Sequence, residues 1–175
     1  CRALFESGDR SRKVVALGLV DPIDSSTFIF EATPDFPEQC KQLRKLCQKK
    51  SELPDGIFLT HAHIGHYTGL MYLGREASGA QGVKVFAMPR MKKFLESNGP
   101  WSQLVSLKNV ALKEIGHHDT INVSASFKVI PFLVPHRDEY SETVGYQIIG
   151  PSKKILFIPD VNKWNVWDQD IRTKI

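Results

Sequence analysis

Gly56-Ile57-Phe58-Leu59-Thr60-His61-Ala62-His63-Ile64-Gly65-His66 is the stretch on which the reading of this chain turns. Gly56 to Leu59 is a short apolar run of the kind that forms a buried strand. Three of the chain's six histidines follow at once. Beyond them, Tyr67 to Ala77 carries Leu70, Met71 and Leu73 at helix-like spacing, which predicts a helix. The histidines are therefore expected on a strand-to-helix loop, where an open sheet presents its ligands. Imidazole nitrogen binds zinc or iron. His61 and His63 can turn both rings toward one ion, and His66 is expected at the helix start, where the dipole disfavours a protonated ring. A lone histidine on such a loop is more often a hydrogen-bonding residue; three at this spacing after an apolar strand point to metal binding.

Working outward, Lys13 to Val20 and Ser26 to Glu31 read as two strands of a hairpin around the turn Asp21-Pro22-Ile23-Asp24. Ala32-Thr33-Pro34-Asp35 ends the second. Asp35 is expected to cap a helix running to about Lys50, with Glu38 as its capping-box partner. Phe36, Cys40, Leu43 and Cys47 form the apolar stripe of that helix. Pro54-Asp55-Gly56 turns into the strand before the histidines. Val83 to Ala87 is a further strand, and Pro89 suits the first turn of a helix carrying Met91, Phe94 and Leu95, stopped by Asn98-Gly99-Pro100. Trp101 to Leu107 has no clear period. Val110 to Ile115 reads as a strand and Gly116-His117-His118-Asp119 as a polar surface loop. Phe127 to Val134 is a strand with an internal proline, hence at an edge or bulged. Thr143 to Ile149 and Lys154 to Ile158 pair across Gly150-Pro151-Ser152. Paired strands mixed with amphipathic helices predict a layered α/β or α+β domain, and the hairpins argue against an all-parallel sheet.

With 175 residues, 42% of them hydrophobic and 24% charged, the chain has the composition of one globular domain over 1–175. The net charge of +4 is spread along the chain, which reads as solvated surface and makes nucleic acid an improbable partner. No run reaches the length of a membrane span and no secretory leader is visible, so a cytoplasmic location is the expectation. Cys40 and Cys47 lie about 10 Å apart along one helix, too far for a disulfide, and are expected to pack as small hydrophobes; Cys1 opens the chain.

Two more polar residues stand where strands end: His136 after FKVIPFLV, and Asp160 after KILFIP. The order H-x-H-x-x-H, a later His and then an Asp resembles the metallo-β-lactamase fold hydrolases. The FEATPD segment, Tyr67-Thr68-Gly69-Leu70 and Gly145-Tyr146 support the resemblance, which runs from about Val14 to Asp160. Within that family, THAHIGHYTGL is most similar to the branch containing pyrroloquinoline-quinone biosynthesis protein B.

The resemblance implies a four-layer α/β/β/α sandwich. It implies a first metal held by His61, His63 and His136, and a second by His66 and Asp160, with Asp160 bridging. It implies Zn2+, or Fe2+ as the alternative, and His66 and Asp160 as catalytic groups. Glu31 occupies a supporting position that orients a ligating imidazole. The sequence also departs from the family. Gly65 stands where the family has a second-metal Asp, so the first ion is expected to be held firmly and the second weakly or not at all. A late His found in many members has no counterpart here. Both ends look truncated, as in a fragment; missing strands would expose an apolar face and favour a homo-oligomer.

The function expected from the resemblance is a metal-dependent hydrolase, in which a metal-bound hydroxide attacks an ester, lactone, thioester or phosphodiester of a small-molecule substrate. The alternatives are an iron-dependent oxygenase and a degenerate metal-binding module. Trp164 and Trp167 are expected to pack rather than to line a cleft, and Tyr67 and Thr68 have no role assignable from sequence.

Overall fold

The computed structural model describes residues 12–47 and 51–174. Two sheets stack face to face. The first runs β1 (Leu17–Val20), β2 (Thr27–Phe30), β3 (Gly56–Phe58), β4 (Val83–Ala87), β5 (Val110–Glu114) in that spatial order. β1 and β2 form the expected antiparallel hairpin, and the remaining neighbours are parallel. The second is an antiparallel meander of β6 (Ile121–Asn122), β7 (Lys128–Leu133), β8 (Val144–Ile149) and β9 (Lys154–Phe157). The chain is thus mixed α/β with a metallo-β-lactamase-like sandwich.

Alternation along the strands of the first sheet sorts its side chains between two cores. Ile29, Ile57 and Val85 point to the outer face. There they meet Phe36, Cys40 and Leu43 of α1 (Phe36–Lys45), Leu70 and Leu73, and Met91 and Leu95 of α3 (Pro89–Ser97). Phe28, Phe30, Phe58 and Phe86 point inward against Val129, Tyr146 and Ile148 of the second sheet. Phe58 lies 4.9 Å from Phe30 and 4.3 Å from Phe86, nearly parallel to both, and Tyr146 meets it edge-on at 5.4 Å. Gly56 shares this inner face, and its missing Cβ is what the rings use: a methyl there would sit 2.9 Å from Phe86 and 3.0 Å from Phe28. Gly56→Ala is expected to cost about 1–3 kcal/mol through overpacking, read as a lower urea midpoint with unchanged slope. The sheets are also tied at one corner, where the Ser124 hydroxyl donates to the buried Asp21 carboxylate at 2.6 Å.

The outer face of the second sheet carries Phe132, Val134, Leu156 and Ile158, which the C-terminal segment covers through Val161, Trp167 and Ile171. Trp167 is buried and stacks on Phe132 at 5.8 Å; Trp164, expected to pack, stays half exposed. Among the described residues this fourth layer consists of 3-10 turns at Trp164–Val166 and Ile171–Thr173 rather than a long helix.

Several local expectations are corrected. β1 begins at Leu17, not Lys13. α1 ends at Lys45, and Lys50 lies outside the described residues, as does Cys1. Asp35 sits at the start of α1 without capping it, because its carboxylate accepts from the Val14 amide at 2.8 Å. The helix expected over Tyr67 to Ala77 is instead a four-residue helix, α2 (Ile64–Tyr67), followed by a 3-10 helix, Thr68–Leu73. Gly69 explains the tighter winding: its amide donates to the Ala32 carbonyl at 2.8 Å, and a Cβ there would lie 2.6 Å from that of Phe36. The stretch without a clear period forms α4 (Trp101–Ser106). The strand with the internal proline is not an edge strand: β7 lies between β6 and β8, and Pro131 is tolerated because it falls beyond the two residues of β6, where its carbonyl accepts from the His118 amide at 2.8 Å. Cys40 is buried and free, and burial pushes its thiol up to about 12.

Candidate metal centre

Loops following β2, β3, β7 and β9 converge at one end of the sandwich. His61 and His63 leave the β3 tip, His136 the loop after β7, and Asp160 the loop after β9. One nitrogen or oxygen from each of these four lies within 4.8 Å of those of the others. His61 Nε2 is 2.8 Å from His63 Nδ1, which is 3.2 Å from His136 Nε2. Asp160 Oδ2 lies 3.4, 3.2 and 3.7 Å from Nε2 of His61, His66 and His136. The structure therefore brings together all five residues expected to ligate.

The other nitrogen of every ring has a partner pointing away from the cluster. His61 Nδ1 pairs with the Thr60 hydroxyl at 2.9 Å, and His63 Nε2 with Glu139 Oε2 at 2.8 Å. His136 Nδ1 pairs with Asn162 Oδ1 at 2.9 Å, and His66 Nδ1 donates to Glu31 Oε2 at 2.6 Å. Placing each ring proton on the outer nitrogen leaves four inner lone pairs, those of His61, His63, His136 and His66, around a carboxylate. Such an arrangement is repulsive by itself and suits a cation. His61 is held neutral down to about 2 by its burial and by the neighbouring imidazoles, so its inner lone pair is free across the physiological range.

Glu31 holds the base of the site. It is fully buried at φ 83°, a left-handed conformation unusual for glutamate. Its backbone amide donates to Phe58 O, its Oε1 accepts from the Thr60 amide at 3.0 Å, and its Oε2 takes the His66 bond. Burial raises its pKa. Burial draws His66 down, yet the hydrogen bond and charge of Glu31, with Asp160, leave it raised. This corrects the helix-dipole argument for His66, which lies inside a helix too short for a useful dipole, with His63 at its N-terminal boundary.

Glu139, Asn162 and Thr60 were not singled out by sequence; only the closeness of Glu139 to His136 and of Asn162 to Asp160 hinted at them. His117, His118 and Asp119 bond locally, to Leu133, Pro131 and Gly116, and stay out of the cluster. Tyr67 is buried against Phe94 and Trp101, and the Thr68 hydroxyl donates to Ile64 O.

The fold and this cluster define a class. A beta-lactamase superfamily domain model matches residues 26–175, and the chain belongs to that superfamily. Among solved structures, Zn(2+)-bound PqqB from Methylobacterium extorquens superposes with a TM-score of 0.72 at 17% identity, covering 95% of this chain and 60% of that one. MEM-A1, a subclass B3 metallo-beta-lactamase from a soil metagenome library, gives 0.57 at 18% identity over 83% of this chain and 55% of its own. A diphosphatase from the PhnP family gives 0.50 at 27% identity over 71% and 46%. The chain thus spans three fifths or less of the length of each of these structures. No curated protein sequence matches it. No helix among the described residues is long and apolar enough to cross a membrane.

Proposed function

We propose that the chain carries the centre of a zinc-dependent hydrolase acting on an ester, lactone, thioester or phosphodiester. The observation that carries this reading is the convergence of His61 Nε2, His63 Nδ1, His136 Nε2 and an Asp160 oxygen, each imidazole oriented by an outer hydrogen bond. A bound ion supplies a Lewis acid that lowers the pKa of a water toward about 7. His61, His63 and His136 hold the ion, and Thr60, Glu139 and Asn162 fix their rings. Asp160, about a third exposed, accepts a hydrogen bond from the attacking water and orients it. Glu31, through His66, stiffens the floor on which Asp160 rests.

Protein purified without added metal is expected to contain about one zinc per chain and to lose turnover of an ester panel when chelated, with recovery on zinc addition. Stoichiometric iron with oxygen consumption would favour the oxygenase reading instead. The lack of a side chain at Gly65 favours that alternative, since it leaves His66 and Asp160 as a thin shell for any second ion.

Gly65 has room for a side chain, the nearest atom to an added Cβ being Val14 Cγ1 at 3.8 Å. Gly65→Asp is accordingly expected to raise bound zinc from about one to about two per chain, measured by elemental analysis after dialysis, because a carboxylate joins His66 and Asp160.

A further inference from the structure

The ladder that pairs β3 with its neighbours ends at Phe58, yet the chain stays buried through Leu59, Thr60, His61 and Ala62. Buried backbone outside a ladder must find its hydrogen-bond partners elsewhere. Two bonds are made on the side of the first sheet: the Leu59 amide donates to Phe86 O at 3.1 Å, and the Thr60 amide to Glu31 Oε1 at 3.0 Å. Three more are made to the second sheet. The Tyr146 hydroxyl donates to Leu59 O, the Val144 amide donates to Thr60 O at 3.2 Å, and the Ser141 hydroxyl accepts from the Ala62 amide at 2.8 Å. β8 and the loop before it therefore hold the chain on both sides of His61.

The holding groups are themselves fixed. Ser141 and Tyr146 are both buried. Burial pushes the Tyr146 phenol well above its ordinary pKa, so it remains a donor. The Ser141 hydroxyl gives its proton to Glu142 O at 2.9 Å, which leaves an oxygen lone pair for Ala62. The loop carrying Ser141 is closed by the Thr143 hydroxyl, which donates to Asp138 at 2.8 Å, and the Glu142 carboxylate accepts from the Arg90 amide at 3.1 Å. We propose that Ser141 and Tyr146 are positioning residues for the metal cluster: by holding the backbone at Ala62 and Leu59 against β8, they set the spacing between His61 and His63 on one sheet and His136 and Asp160 on the other. The inference rests on the proposed metal site and not on which reaction follows there. Metal–ligand distances tolerate only about 0.2 Å, so a small shift of one sheet's pair of ligands against the other's weakens the whole set. Removing the Ser141 hydroxyl also leaves the buried Ala62 amide without its acceptor, in the peptide that joins His61 to Ala62.

The test compares the full chain with Ser141→Ala, Ser141→Thr and Tyr146→Phe, at a temperature where each chelated protein is folded by circular dichroism. Zinc affinity is read by competition with a chromogenic chelator. Ligand geometry is read from the visible absorption bands of the protein loaded with cobalt. Ser141→Ala is expected to bind zinc about 10-fold more weakly and to shift the cobalt bands. Ser141→Thr, which keeps the hydroxyl, should recover most of both. Tyr146→Phe should move both in the same direction as Ser141→Ala, and carries the test should Ser141→Ala fold poorly. A lower melting temperature with zinc affinity and cobalt bands unchanged would make these bonds merely structural; it overturns the proposal and leaves the hydrolase reading standing. Ser141-dependent zinc binding in a chain that turns over no ester upholds the proposal and removes the hydrolase reading. A wild-type chain that binds neither metal overturns both.

Discussion

His136→Ala is expected to lower zinc affinity by more than 100-fold while leaving the fold intact, read by competition with a chromogenic chelator alongside circular dichroism. Replacing an outer partner of a ligating histidine typically costs about 10–100-fold in metal affinity, and removing the ligand itself costs more. In the proposed metal site, His136 and Asp160 are the groups that the second sheet contributes to a cluster otherwise built on the β3 tip. The hydrogen bonds of His136 are to Asn162 and His63, near the surface, so its loss opens no cavity in either core. Glu139→Gln makes the graded comparison. It keeps the shape beside His63 Nε2 but removes the charge, and should fall within the 10–100-fold range. Equal zinc affinity in wild type and His136→Ala would mean that the cluster is not the metal site.

Phe58→Ala carries the largest expected loss of stability, about 3–5 kcal/mol. That is a large part of the roughly 5–15 kcal/mol available to an ordinary domain. Phe58 has no exposed surface and is sandwiched between Phe30 and Phe86 with Tyr146 across its edge, so its removal leaves a void bounded by rings from both sheets. Its carbonyl also accepts from the Glu31 amide, and Leu59, Thr60 and His61 follow directly. A shift of β3 would therefore misplace Glu31 and His61 together, and zinc binding should weaken along with the urea midpoint. Phe58→Leu, which refills part of the volume, should restore most of both.

The two halves of the site differ in how far they could be read from the chain. His61, His63, His136 and Asp160 were legible because each follows an apolar run, and a strand that ends in an imidazole or carboxylate announces its chemistry locally. Glu31 was legible only through the family resemblance, since nothing in FEATPD shows that its backbone will adopt a left-handed conformation and bury the carboxylate under His66. The expected Tyr67–Ala77 helix went astray for a related reason. Leu70, Met71 and Leu73 have helical spacing, but the close approach of Gly69 to Ala32 and Phe36 draws the segment into a 3-10 helix. Local periodicity cannot register a contact with residues some thirty-five positions away.

By itself, then, the sequence determined which histidines and carboxylate gather in the cluster, the strands that carry them and the class of fold, because strand alternation and residue chemistry are properties of short segments. Tertiary structure alone decided which nitrogen of each ring faces the cluster. His61 turns Nε2 inward because Thr60 occupies its Nδ1, whereas His63 turns Nδ1 inward because Glu139, from a loop of the other sheet, takes its Nε2. The His61 partner is its sequence neighbour, but the His63 choice depends on a partner brought in by the stacking of two sheets, and a residue 76 positions distant leaves no pattern in the chain around the histidine it orients.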